Sequence, residues 1–225
     1  MEIQLEKPAS VAEKINIEIQ SLSLKNTPEI RKIRRKYTKI LRKATPEYIK
    51  ELALLLIKKY GYRSTPYELI RYHKPTFQKL DEIDLEDLGE GINSWWSVDS
   101  FARTLTGPAW LNGNLEDEVI IRWAKSDDLW WRRAALVSTV ALNVRSHGGY
   151  GDTARTLSIC SLLVDDHEDM VVKALSWALR ELVTHDPQSV RSYLDKYDNK
   201  LAARVKREVK NKLETGLKKP LRTSP

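Results

Sequence analysis

The sequence holds a single cysteine, Cys160, so it can build neither an internal disulfide framework nor a cysteine-based zinc site. Glycine and proline number nine each, too few for a collagen-like or low-complexity chain. No stretch approaches the ~20 apolar residues of a membrane span; the longest apolar run is Leu52 to Ile57. Met1 to Gln20 carries no apolar core of signal-peptide type, so a cytoplasmic location and no membrane partner are expected. The four histidines, His73, His147, His167 and His185, sit on separate segments without metal-ligand spacing. No metal and no cofactor are expected. The glycines of His147-Gly148-Gly149-Tyr150-Gly151-Asp152 follow no strand, so this flexible loop is no nucleotide fingerprint. No Ser/His/Asp triad can be placed, and Cys160 reads as a small core residue in an apolar helix.

What the chain does contain is charge and helix. Its 225 residues suit one domain or two small ones, and 41% hydrophobic with 31% charged residues is a globular balance. The net charge is +7, concentrated at the two ends. Lys25 to Lys43 carries nine bases against Glu29 alone; Lys200 to Pro225 carries nine against Glu208 and Glu214. Basic ends on a near-neutral body point to a polyanionic partner. Solvated helix faces would give the same composition.

Almost every segment has helical periodicity. Thr27-Pro28-Glu29 and Thr45-Pro46-Glu47 are helix starts, with Thr as N-cap, Pro at the first helical position and an acid in the first turn. Further helices are expected at about 85–105, 116–125, 130–144, 153–164, 170–184, 187–197 and 201–213, with short Asp-, Gly- or Pro-bearing connections such as Thr106-Gly107-Pro108. Trp95-Trp96 and Trp130-Trp131 are offset by 35 residues, and Arg133 and Lys173 by 40. Helix pairs recurring at that period are the signature of HEAT-like solenoids, whose concave face binds partners. The expected fold is therefore an all-α, HEAT-like helical-repeat solenoid with a concave basic face. Its expected parts are an N-terminal helical extension at 1–26, the solenoid at 27–215 and a flexible basic tail at 216–225. A compact helical bundle and a helix-turn-helix array are the competing folds.

Six of seven tryptophans lie between Trp95 and Trp131, with Trp177 the seventh. Trp95 and Asp99 are four apart and share a helix face. Arg132 and Arg133 lie mid-helix, and Trp177 lies between Lys173 and Arg180 on another helix. An aromatic ring with a carboxylate can grip a cationic group, and a carboxylate can stabilise an oxocarbenium-like sugar and hold a water. Packing tryptophans and a capping or salt-bridged Asp99 would be the plainer account.

Ser94-Trp95-Trp96-Ser97-Val98-Asp99-Ser100, Trp130-Trp131-Arg132-Arg133-Ala134-Ala135 and Lys173 to Glu181 occur in order, and together they resemble the AlkD-like family of DNA alkylation repair proteins. The resemblance covers roughly Thr27 to Leu213. It implies a HEAT-like DNA glycosylase that excises positively charged N3- and N7-alkylpurines from duplex DNA without a base-flipping pocket. It assigns Asp99 as the catalytic aspartate, Trp95 and Trp177 as the rings flanking the lesion, and Arg133 as a phosphate contact. Lys173, Arg132 and Arg180 near these motifs, with Lys32, Arg35 and Lys206 of the basic ends, are candidate phosphate contacts. Family members carry aromatic residues just before the Thr-Pro-Glu start; here Ile17 to Asn26 has none. The expectation is a monofunctional, monomeric enzyme acting on alkylated double-stranded DNA and associated with the nucleoid when bound. The alternatives are a non-catalytic HEAT-repeat protein that recognises damaged or branched DNA, and a protein-interaction scaffold.

Overall fold

The computed structural model describes residues 6–219, and these are helical with no strand among them. The chain divides into two compact units, residues 1–91 and 92–225. No described helix is long and apolar enough to cross a membrane. Of the expected tail at 216–225, residues 220–225 lie outside the described residues, as do residues 1–5.

The first unit is built from α1 (Pro8–Gln20), α2 (Thr27–Ile40), α3 (Pro46–Lys58), α4 (Ser64–Tyr72), α5 (Lys74–Phe77) and α6 (Glu82–Gly89). α3 begins where the sequence places it, with the Thr45 hydroxyl accepting the Tyr48 N–H at 3.2 Å. α2 begins one residue earlier than expected. Asn26 is its N-cap, accepting the Glu29 N–H at 3.0 Å. Asn is at least as good a cap as Thr, and Pro28 is tolerated one position further in because the first turn needs no N–H there. α3 supplies the centre of this core through Ile49, Leu52, Ala53, Leu56 and Ile57, packed against α1, α4, α5 and α6. The basic helix α2 is tied to α4 by an ion cluster: Glu68 accepts from Arg31 at 2.8 Å and Arg34 at 2.9 Å.

The second unit contains α7 (Trp95–Phe101), a π-helical turn at Ala102–Thr106, α8 (Gly107–Leu111), α9 (Asp117–Ala124), α10 (Leu129–Asn143), a 3-10 turn at Arg145–His147, α11 (Thr153–Leu162), α12 (Asp169–Leu182), α13 (Pro187–Lys196) and α14 (Ala203–Thr215). α10 is the centre, buried continuously from Arg133 to Asn143. It packs on α7, α8, α9, α11 and α12, and α12 packs in turn on α14. Thr106-Gly107-Pro108, expected as a connection, instead runs as helix from α7 through the π turn into α8. The wider turn is closed by the Gly107 N–H on the Ala102 carbonyl, and Pro108 then falls in a first turn where no N–H is required. Gly107 is there because α8 meets α10 closely: a Cβ would stand 2.6 Å from the Ala141 Cβ. The adjacent Thr106 and Ser138 hydroxyls are 2.6 Å apart. The region expected as one helix at 85–105 is split by 90–94, where Gly91 takes φ +71°.

Polar ties between neighbouring helices recur at a nearly constant sequence separation. Arg34–Glu68, Lys50–Asp84, Arg133–Asp99 and Arg132–Asp166 each span 34 residues. Ser176–Glu208 spans 32, Thr153–Asp186 spans 33, and Arg204–Asp169 spans 35.

The loop 148–152 is packed. A Cβ on Gly149 would meet the Ala141 carbonyl oxygen at 2.3 Å, and the Gly151 N–H donates to the Leu142 carbonyl at 3.1 Å. Cys160 is fully buried, as the apolar pattern requires.

Candidate functional site

The site grows from the start of α7. The Ser94 backbone N–H donates to the Ser97 hydroxyl at 3.2 Å, and the two hydroxyls lie 2.9 Å apart. This cap makes Trp95 the first helical residue and, one turn on, sets Asp99 on the same face. Trp95 is 57% exposed, whereas the Asp99 side chain is 18% exposed.

Arg133 of α10 meets Asp99 edge to edge. Its Nε donates to Oδ1 and its Nη2 to Oδ2, both at 2.9 Å, and its Nη1 donates to the Met170 carbonyl of α12. All three nitrogens are therefore engaged, and the residue is 5% exposed. Burial pushes the Asp99 carboxyl above the usual aspartate range, while the Arg133 bonds and the nearby Arg103 charge pull back against it.

Trp177 of α12 is half-buried, and its indole N–H donates to the Glu181 carboxylate at 2.8 Å. The Arg103 guanidinium stands over its ring, 5.3 Å from the centroid. Beside Trp177 a cleft of about 500 Å³ is lined by Arg133, Lys173 and Arg180, by Arg204, Arg207 and Glu208 of α14, and by Lys218 and Lys219 beyond it. Seven cations and one acid line it; Arg133 is paired with Asp99, and Lys173 and Arg204 share Asp169. The acid is itself occupied, since Glu208 accepts from the Ser176 hydroxyl at 2.7 Å and has Lys218 at 3.5 Å.

Asp99, Arg133, Trp177, Lys173 and Arg180 of the expected set thus all belong to the second unit's site, with Trp95 on the Asp99 face of α7. Lys173 pairs with Asp169 at 2.6 Å and keeps 40% of its side chain exposed. Burial lowers the Arg180 pKa below its ordinary value, opposed by Glu208 and Glu181. Arg132 has a fastening role: it holds Asp166 at 2.7 Å and the Ser126 and Asp127 carbonyls at 2.9 and 2.7 Å. Lys206 caps the Asp198 carbonyl at 2.9 Å. Lys32 and Arg35 lie exposed on α2 of the first unit, Lys32 paired with Glu29 at 2.7 Å. Of the other tryptophans, Trp110 and Trp123 are core, and Trp131 packs against Trp123 with ring centroids 4.8 Å apart and planes tilted by 50°. Two groups were not foreseen. Arg103 continues the Trp95–Asp99 spacing by one further turn, a signal present in the sequence. Arg204, Arg207, Lys218 and Lys219 became visible as one wall only when α14 was placed beside α12.

The three sequence motifs thus supply Asp99, Arg133 and Trp177 to one part of the second unit, with Arg133 bonded to Asp99. Residues 14–213 match the family described as DNA alkylation repair enzyme. The chain belongs to that family. The match takes in both basic ends up to α14 and every residue of the site apart from Lys218 and Lys219. No curated protein matches the chain. The described residues contain no cluster of three His, Cys, Asp or Glu able to hold a metal.

Proposed function

We propose that the protein is a DNA glycosylase that removes positively charged N3- and N7-alkylated purines from duplex DNA. The observation that carries the reading is the fixed Asp99 carboxylate beside the Trp177 ring and the cationic cleft. An alkylated purine already bears positive charge. When its glycosidic C–N bond breaks, the electron pair goes to the base, which leaves neutral and needs no protonation. The positive charge passes to the sugar. A carboxylate held rigidly by Arg133 meets that charge without reorganising, where water would have to turn. Water then adds to the sugar carbon, and its proton goes to Asp99 or to solvent. Trp95 and Trp177 line the lesion nucleotide, and their faces attract its cationic ring. Lys173 and the cleft cations other than Arg133 hold phosphates, so affinity for DNA falls steeply with salt.

The recurrent separation of 32–35 residues between tied helices supports a HEAT-like solenoid, and the cleft cations support a basic binding face on it. The enzyme acts as a monomer on the DNA of the cell and without a base-flipping pocket. One observation favours the second reading, a DNA-binding protein without turnover: Arg133 occupies both Asp99 oxygens, as in a structural ion pair. Incubating the protein with duplex DNA containing 7-methylguanine or 3-methyladenine separates the two. Release of free base is the expected result. Tight binding without release replaces the first reading with the second.

A further inference from the structure

Arg103 is an arginine that forms no salt bridge among the described residues: the Asp99 charge lies near it, yet no carboxylate oxygen bonds to it. Arg133, Arg132, Arg155 and Arg204 each hold an aspartate at 2.6–2.9 Å. Arg103 has no such partner among the described residues; its Nη2 lies 3.5 Å from His147 Nε2, the outer limit of a hydrogen bond. Its Nε is buried and has no hydrogen-bond partner at all. An unmade bond at a charged, desolvated donor is unfavourable, and such groups in native structures have a reason. The residue also sits on the π turn at Ala102–Thr106, a backbone irregularity that is frequent at functional sites. Its guanidinium carbon stands over the Trp177 ring, 5.3 Å from the centroid, and a cation held by a ring face in this way spends none of its N–H donors on the contact. The fork of donors fits a phosphate. Arg133, the residue the sequence resemblance assigns to that duty, has every nitrogen committed to Asp99 and Met170.

We propose that Arg103 is the residue that binds the backbone phosphate of the lesion nucleotide, with Trp177 orienting its guanidinium beneath it. The proposal rests on the glycosylase reading for the identity of the nucleotide, and on the geometry alone for the phosphate.

The test replaces phosphates one at a time by neutral methylphosphonates in a short duplex carrying 7-methylguanine. A 2′-fluorine on the lesion sugar withdraws electrons and keeps the base in place while binding is measured. For the wild type, one position or two adjacent positions should weaken binding at least about tenfold, the scale of one charged hydrogen bond. In Arg103→Ala that selective loss should vanish, although overall affinity is lower. Arg103→Gln makes the same comparison should the alanine variant not fold, as judged by its melting curve. The proposal is overturned if either folded variant keeps the wild-type pattern, or if no phosphate position stands out in the wild type. Release of 7-methylguanine with no coupling at Arg103 defeats this assignment alone. Coupling at Arg103 in a protein that releases no base defeats the glycosylase reading and leaves the phosphate contact standing.

Discussion

Each of the two units ties a pair of helices together with an arginine and a carboxylate 34 residues apart, and the surroundings of the two pairs differ. In residues 1–91, Glu68 receives Arg31 on one oxygen and Arg34 on the other. The Arg34 guanidinium is covered by the Tyr72 ring, 4.2 Å from its centroid. Two cations saturate one acid, and the result is a strut between α2 and α4. In residues 92–225, Asp99 receives one arginine through both oxygens. Near it stand Arg103, which forms no salt bridge among the described residues, the Trp177 ring over which Arg103 lies, and a cleft whose walls are cationic. A buried ion pair alone is weak evidence for either stability or function. A ring stands beside both pairs, so the cationic cleft and an arginine without a salt bridge are what mark the second as a candidate site.

Removing the acid from each pair breaks this comparison open. Glu68→Ala strands the Arg34 side chain, only 8% exposed, without its partner. It should destabilise the protein by about 3–5 kcal/mol, the range for one half of a buried pair, in urea unfolding. Excision per folded molecule should stay unchanged. Asp99→Asn keeps the shape and removes the charge. Excision should fall at least ~100-fold, the scale of one lost electrostatic group, with DNA affinity nearly intact. Wild-type excision by Asp99→Asn would show that both pairs are struts. The smallest effect is a shift in pH profile. Excision needs Asp99 ionised, and burial holds its pKa above that of an ordinary aspartate. The rate should therefore fall on the acid side at a higher pH than an exposed aspartate would give. Arg133→Gln removes the strongest influence lowering that pKa, so the acid limb should move to still higher pH. A limb that stays in place, or moves down, would detach Asp99 from the rate.

The helices were legible in the sequence because local signals set them: Thr45-Pro46 starts α3, and the apolar spacing of Ile49, Leu52, Leu56 and Ile57 matches its buried face. The Asp99–Arg133 grouping was legible through motifs and helix spacing, although the bidentate bond was not. The resemblance gives Arg133 as a phosphate contact, and only the closeness of α7, α10 and α12 commits it to Asp99 and Met170. The continuity of helix across Gly107-Pro108 was hidden for a related reason. Gly and Pro normally stop a helix, and here contact with α10 and a widened turn overrule them. The cationic wall was partly legible as a basic C-terminal composition. Its membership depended on how α14 lies on α12, which charge counting cannot supply.

The regular separation between tied partners governs how this chain can change its length. One residue added inside α10 ahead of Arg133 would turn every earlier or later neighbour by about 100° relative to the other. The guanidinium would then face away from Asp99. The same residue added at 112–116, between α8 and α9, falls in a loop where Gly113 has a positive φ and open space around it. Over evolutionary time the helices of such a chain therefore keep their residue count while their connections absorb insertions, and descendants with longer loops can still inherit the Asp99–Arg133 bond intact.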